Sequence, residues 1–221
     1  FRLYTLFIGP PERDAEWDDR AVEGGFRFLN RVWKLFQELL ERPDFSAGGT
    51  PEAATEMDKE VRRKTHQTIH KVTQDMNGGF KFNTAISAMM ELINLLYDYK
   101  EAPDAKTPIL REAVEALIKL LGPFTPHIAA EMWSRVGKGE LLDAGWPKHD
   151  PALMKAEVVE IAIQVNGKLR GRVSVPVGLE EAAIRELPQK DEKIGKLVSP
   201  ENILKVVWVK DKLANFIVKT S

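Results

Sequence analysis

Glu160-Ile-Ala-Ile-Gln-Val-Asn-Gly-Lys-Leu-Arg-Gly-Arg-Val-Ser-Val-Pro176 reads as a β-hairpin that carries a row of cations. Val159, Ile161, Ile163 and Val165 recur at period two, Asn166-Gly167 accepts positive φ, and Leu169, Val173 and Val175 resume the alternation. A plain two-residue turn would set Ile163 opposite Arg170 and mix the faces, because directly opposed residues share a side. Parity therefore predicts a three-residue loop or a bulge. Either repair is expected to gather Val159, Ile161, Ile163, Val165, Leu169, Val173 and Val175 on one apolar face and to line up Lys168, Arg170 and Arg172 on the other. Such a row suits phosphate, and it equally suits the solvated face of any half-buried hairpin.

Working outward, a chain of 221 residues with 43% hydrophobic content can bury one or two full cores. No apolar run approaches the roughly 18 residues of a membrane span and no secretory leader opens the sequence, so a cytoplasmic location is the default. The absence of cysteine excludes disulfides and thiolate zinc sites. Phe1 to Ile8 is an apolar helical run without an initiator Met or a cap, which leads to the expectation of a piece of a longer protein. Charge is unevenly distributed: residues 157–221 hold 11 Lys+Arg against 9 Asp+Glu, in a chain that is acidic by one overall.

Up to about residue 136 the periodicity is helical. Val22, Phe26, Leu29, Trp33, Phe36 and Leu40 follow steps of four and three, one stripe expected to face a core. Asp18, Asp19 and Glu23 favour the helix start, Gly9-Pro10-Pro11 precedes it, and Arg20, Arg27, Arg31 and Lys34 form the opposite face. A Gly/Pro-rich loop, Pro43 to Pro51, leads to a second helix at about Glu52 to Asp75, ended by Asn77-Gly78-Gly79. A third is expected at about Asn83 to Asp98. Thr107-Pro108 and Thr125-Pro126 each read as a cap followed by first-turn proline, opening a fourth and a fifth. Five helices with short connections imply a bundle. Between Val136 and Lys155 the period dissolves into Gly137, Gly139, Gly145, Pro147 and Pro151, which predicts a flexible linker and a domain boundary. Beyond it follow the hairpin, an acidic-capped helix at about Leu179 to Leu187, a shorter helical piece near Asp191 to Val198, and strands Ile203 to Val209 and Leu213 to Val218. The fold class is thus a mainly α, two-domain chain: an α-helical bundle over 1–150, then a small α+β domain over 157–221 in β-β-α-β-β order.

Other motifs carry less. His66 and His70 stand at i and i+4, a spacing that lets two imidazoles share a metal, but Gln67 occupies the position where a zinc protease needs Glu, and no metal site is expected. Lys59, Arg62, Arg63, Lys64 and Lys71 fit a solvated helix face better than an RNA surface. For Arg20, Arg27, Arg31 and Lys34 a nucleic-acid surface and a solvated face stand level. The aromatic residues sit mostly at core spacing. No phosphate-binding loop, dinucleotide turn or nucleophile elbow is present, and no catalytic residue is assigned.

Residues in order along almost the whole chain resemble the C-terminal part of bacterial leucyl-tRNA synthetases. They are Glu16-Trp17, Val22-Glu23-Gly24, Arg27-Phe28-Leu29-Asn30-Arg31-Val32-Trp33, His66, Thr68-Ile69, Lys71-Val72-Thr73, Phe82-Asn83-Thr84-Ala85-Ile86, Met90-Glu91-Leu92, Pro123-Phe124-Thr125-Pro126-His127-Ile128, Trp146-Pro147 and Val165-Asn166-Gly167-Lys168 with Arg170. The helical segments are shared with other class I synthetases, whereas the hairpin is similar to the leucyl branch. One turn departs: Lys210-Asp211 stands where the family commonly has proline and glycine before Lys212-Leu213. The resemblance implies that residues 1–10 are the tail of a catalytic domain, that the bundle is the anticodon-binding-type domain and that 157–221 is a tethered tRNA-binding domain. It implies a leucine–tRNA ligase in which tRNA(Leu) is the partner and in which leucine, ATP and Mg²⁺ belong to the catalytic domain. This chain lacks the adenylate-forming signatures and the editing insertion, so it is expected to be inactive alone, to hold no cofactor and to be monomeric. The expected tRNA-binding residues are Lys168, Arg170 and Arg172, with Arg27, Arg31 and Lys34. The alternatives are the equivalent region of a valyl or isoleucyl enzyme, or a free-standing helical module that binds protein.

Overall fold

Among the described residues, six helices build the first part of the chain in the computed structural model: α1 (Arg2–Phe7), α2 (Asp19–Leu40), α3 (Glu56–Asn77), α4 (Phe82–Lys100), α5 (Thr107–Leu121) and α6 (Pro126–Val136). The structure describes every residue except 11, 13, 15, 46–48, 137–138, 156–157, 186, 191, 196, 200 and 220–221. Pro11, part of the Pro43–Pro51 loop, Gly137 and Asp191, on which sequence expectations rest, lie outside the described residues.

Helix α2 buries Phe28, Val32, Leu35, Phe36 and Leu39, whereas Phe26 is 66% exposed. The expected stripe of Val22, Phe26, Leu29, Trp33, Phe36 and Leu40 is thus corrected by about one residue, roughly 100° of helix rotation. Two adjacent stripes of this helix obey the same three-and-four spacing, and periodicity alone cannot say which one faces the core. Leu29, Trp33 and Leu40 instead pack at the core's margin.

Helix α3 begins four residues later than expected because a reciprocal cap fixes its start. Thr55 Oγ1 accepts from the Asp58 N–H at 3.1 Å, and Asp58 Oδ2 accepts from the N–H groups of Thr55 at 3.1 Å and Ala54 at 2.9 Å. Asp58 is fully buried and also receives the Tyr99 hydroxyl at 2.6 Å and Lys106 Nζ at 3.2 Å. One carboxylate therefore ties the ends of α3, α4 and α5 together. Burial alone would raise its pKa, but the hydrogen bonds from Tyr99, Thr55, Ala54 and Lys106 outweigh this and hold it well below the usual carboxylate range. Thr107, expected as the cap of α5, lies inside its first turn; the cap is Lys106, whose N–H donates to the Tyr99 hydroxyl at 3.0 Å.

The chain divides into two compact units, Phe1–Lys155 and Ala156–Ser221. The stretch expected as a linker is tied to the bundle. Trp146 Nε1 donates to Thr73 Oγ1 at 2.7 Å, the Asp150 N–H donates to His66 Nδ1 at 3.0 Å, and the Gln67 amide donates to the Met154 carbonyl at 3.0 Å. Leu141 and Ala144 pack on the core. Its Gly and Pro residues end the helical period without ending the packed unit.

The second unit is a four-stranded sheet of order β2-β1-β4-β3, built from β1 (Val158–Val165), β2 (Lys168–Pro176), β3 (Ile203–Val209) and β4 (Leu213–Val218). Strand β1 runs parallel to β4, and the other pairs are antiparallel. Ile161, Ile163, Val165, Val175, Val206, Ala214 and Phe216 form its core with Ile184, Leu187, Ile194 and Val198 of the crossover. The expected acidic-capped helix shortens to α7 (Glu181–Ile184), whose N-cap Glu180 makes no side-chain cap bond, and α8 (Glu192–Gly195) follows. A Cβ at Gly171 would meet Ile194 Cδ1 at 3.1 Å, so this strand position stays small where the crossover packs.

Candidate nucleic-acid interface

The hairpin combines a tight turn with a bulge. Asn166 and Gly167 have φ of 50° and 78°, the left-handed pair of a two-residue turn, and Val165 pairs Lys168 across it. Gln164 then pairs Leu169 while Ile163 pairs Gly171, leaving Arg170 without a partner in the register. A bulge is therefore the repair, and Ile163 and Arg170 do not oppose one another. The expected grouping needs correction all the same. The bulge follows Leu169, so residues on the turn side keep the unrepaired parity and only those beyond it are rephased. Leu169 is 58% exposed on the outer face with Arg172, Lys168 sits at the tip in register with Val165, and Arg170 occupies the bulge. The three cations cluster at one end of the hairpin and do not form a single row.

The tip is anchored from behind. Asn166 Oδ1 accepts from the Val218 N–H at 3.0 Å, Asn166 Nδ2 donates to the Val218 carbonyl at 3.3 Å, and the Asn166 N–H donates to the Phe216 carbonyl at 2.9 Å. The Gly167 N–H donates to Asn215 Oδ1 at 3.1 Å. Asparagine here does more than tolerate positive φ: its amide substitutes for a strand residue against β4, some fifty positions away. Sequence reasoning reads it only as a turn former, and nothing local signals the partner. At the opposite end of β4, Asp211 fills a left-handed turn position (φ 59°), and its Oδ1 accepts from the Gly178 N–H at 2.8 Å. Asp can adopt this conformation, so the departure from proline and glycine keeps the turn.

Lys168, Arg170 and Arg172 are all exposed. Arg172 Nη1 lies 3.1 Å from Glu160 Oε2, an exposed pair, and among the described residues Lys168 and Arg170 have no carboxylate partner. On α2, Arg27, Arg31 and Lys34 are likewise exposed. Arg31 donates to Asn94 Oδ1 at 2.7 Å and stacks 4.7 Å over Tyr97, whose hydroxyl donates to the Arg31 carbonyl at 3.0 Å. Lys34 lies 3.8 Å from Glu38, which also holds Lys100 at 2.6 Å. Of these three, Arg27 alone has no side-chain partner among the described residues.

The cations of α3 are committed within the bundle. Arg62 grips Glu112 at 2.8 and 3.2 Å, Lys64 pairs with Glu91, Lys71 Nζ lies 2.6 Å from both Asp75 oxygens, and Arg63 stands 4.0 Å from Glu60. Burial would raise the Glu112 pKa, but His66 and Arg62 beside it lower it. His66 and His70, the spacing pair, have separate tasks: His66 accepts from Asp150, and His70 packs edge-on against His149 at 4.6 Å.

The family model described as "Anticodon-binding domain of tRNA ligase" matches residues 58–185, which cover most of the bundle and the whole hairpin. The chain is similar to the leucine–tRNA ligase of Pseudothermotoga lettingae, 44% identical over 220 residues, covering 98% of this chain and 26% of that protein. It is also similar to that of Geotalea daltonii, 45% identical over 222 residues, 98% of this chain and 27% of that protein. The chain thus spans about a quarter of the length of the curated relatives it matches. Among solved structures it is similar to the ternary complex of Agrobacterium radiobacter K84 agnB2 LeuRS with tRNA and LeuAMS, with a TM-score of 0.78 at 30% identity, covering 99% of this chain and 28% of that one.

Proposed function

This chain belongs to the anticodon-binding-domain family of tRNA ligases, and we propose that it docks tRNA(Leu) for the ATP-dependent attachment of leucine by a catalytic domain elsewhere in a longer leucine–tRNA ligase. The observation that carries the reading is coverage: relatives of that name match 98% of the chain, through the bundle and the hairpin alike. Lys168 and Arg170, exposed on an anchored tip, meet the phosphates or ribose of the tRNA with Arg172, and Arg27, which alone among Arg27, Arg31 and Lys34 has no side-chain partner among the described residues, faces the tRNA body. Such contacts fix position and carry little sequence information. Arg31 and Lys34 contribute less, because both already have partners. ATP and its Mg²⁺ belong on this reading to the catalytic domain, and no residue of this chain is assigned to them. No described helix is long and apolar enough to cross a membrane, and a monomer in the cytoplasm accompanies the proposal.

The test is binding of the 221-residue chain to tRNA(Leu) across a salt series. Lys168→Gln/Arg170→Gln/Arg172→Gln is expected to weaken binding and to reduce the slope of log affinity against log salt by about 2 to 3, one counterion for each phosphate no longer neutralised. An unchanged slope in the triple variant removes the hairpin from the interface. Absence of tRNA binding by the unaltered chain removes the function itself. The chain is also expected to show no leucine-dependent pyrophosphate exchange, and any such exchange would place adenylate chemistry in this part of the protein.

A further inference from the structure

The crossover helices of the second unit pack on one side of its sheet, where Ile184, Leu187, Ile194 and Val198 meet Ile161, Ile163 and Phe216. The strand registers lay out the opposite side in rows, because directly paired residues share a face. Leu169 pairs with Gln164, Gln164 with Asn215 and Asn215 with Val207, one residue from each of the four strands. At ordinary strand spacing this row is about 14 Å long. The next row is Arg172, Ala162, Leu213 and Val209. Leu169, Val207 and Val209 are exposed, so both edges of this face are open.

The first row has neutral amides at its centre and apolar side chains at its ends. Asn215 Oδ1 accepts from the Gly167 N–H at 3.1 Å, which fixes that amide and leaves its nitrogen as a donor. The Gln164 side chain is half-buried and makes no hydrogen bond to any described residue, so it can both donate and accept. Amides and aliphatic groups have little to offer a phosphate. They match a flat group with an apolar face and a polar edge, which is what a nucleobase presents. The surrounding charge fits a polyanion: Arg172 and Lys205 stand on this face, one on each edge strand, and Lys168 lies at the tip. Glu160 is the only acidic residue in the four strands, and Arg172 pairs with it.

From this chemistry, and resting on the reading of the chain as a tRNA-docking region, we infer that the open sheet face binds an unstacked nucleobase of the RNA, with Leu169 against the face of the base and the Gln164 amide on its edge. Unstacked bases in loops, bulges and ends offer both surfaces to side chains, whereas bases inside an A-form helix do not. The cations of the tip hold the backbone, and the sheet beside them adds a preference for RNA with an exposed base. Gln164 and Leu169 are thereby specificity-determining residues, in contrast to the cations, which fix position alone.

The test uses the 221-residue chain with two probes, a tRNA(Leu) transcript and a fully paired RNA duplex. Gln164→Ala is expected to weaken binding of the transcript about fivefold, the scale of one hydrogen bond, and Leu169→Ala to weaken it by a similar factor through lost apolar contact. Duplex binding and the salt slope should hold in both variants, since neither removes a charge. Chemical probing of the transcript gives a second readout: the unaltered chain is expected to protect at least one unpaired base, and Gln164→Ala to lose that protection. Equal losses for transcript and duplex, an unaltered transcript affinity, a reduced salt slope, or no protected unpaired base with the unaltered chain would each overturn the inference while leaving the docking function in place. Failure of the unaltered chain to bind the transcript would overturn both.

Discussion

The hairpin tip carries three cations and helix α3 five, and the two use them in opposite ways. On α3, Arg62, Lys64 and Lys71 answer Glu112, Glu91 and Asp75 of the same bundle, and the polar groups hold the helices together. At the tip, the backbone is held by Asn166, Val218 and Asn215, and Lys168 and Arg170 are left to the solvent. The lesson is that a basic stretch in a sequence reports no interface until its intramolecular partners are known. Where neutral groups do the structural work, charges remain for a ligand.

The largest expected effect lies at the point where the bundle depends most on one charge. Asp58→Ala leaves the Tyr99 hydroxyl, Lys106 and the N–H groups of Ala54 and Thr55 without their acceptor, and is expected to destabilise the first unit by about 3 kcal/mol, read by denaturant unfolding. The same carboxylate sets an acid limit. Its folded pKa is lowered from 3.8, so its contribution is complete above that value and is lost as pH falls below it toward the folded pKa. Unfolding midpoints of the parent and the Ala variant should therefore converge as pH drops through this window, and a constant gap would separate the cap from its charge.

Next comes the anchor of the tip. Asn166→Ala removes two side-chain hydrogen bonds to Val218 and puts a Cβ residue without a polar tether at φ 50°, and is expected to cost the second unit about 2 kcal/mol. Binding should suffer with it if anchorage matters to the cations. Unaltered stability of the second unit would show that the turn is held by its backbone bonds alone.

The third comparison sets the two cationic surfaces against each other. Lys168→Gln/Arg170→Gln is expected to reduce the salt slope of tRNA binding by about 2, and Arg31→Gln/Lys34→Gln by less than about 1, since Arg31 and Lys34 are already partnered. Equal reductions would mean that intramolecular pairing does not withhold a charge from RNA. The smallest effect concerns the stretch after α6: Trp146→Phe removes one hydrogen bond to Thr73 and is expected to cost about 1 kcal/mol, with limited proteolysis sparing 139–155 in the parent chain. Cleavage within that stretch ahead of all other sites would restore the linker reading.

Much of this molecule can be read from residue spacing. Helical periodicity, the Asn-Gly turn and the strand runs Ile203 to Val209 and Leu213 to Val218 locate the elements and their order, because each rests on contacts between near neighbours in the chain. Parity along the hairpin even requires the irregularity that the structure contains at Arg170. The position of that bulge is out of reach of spacing: placed before or after Leu169 it sets Val173 and Val175 toward the core alike, and only the pairing of Leu169 with Gln164 in the folded hairpin puts Leu169 on the outer face.

Other features exist only in three dimensions. Which stripe of α2 faces the core, how the 139–155 stretch closes on α3 through His66 and Gln67, and which cations remain free all depend on groups tens of residues apart. The spacing of apolar residues determines that a helix or a strand forms and that it has a buried side. The tertiary structure decides which partner meets that side, because hydrogen bonds and ion pairs are satisfied by proximity in space and a linear pattern carries no record of it.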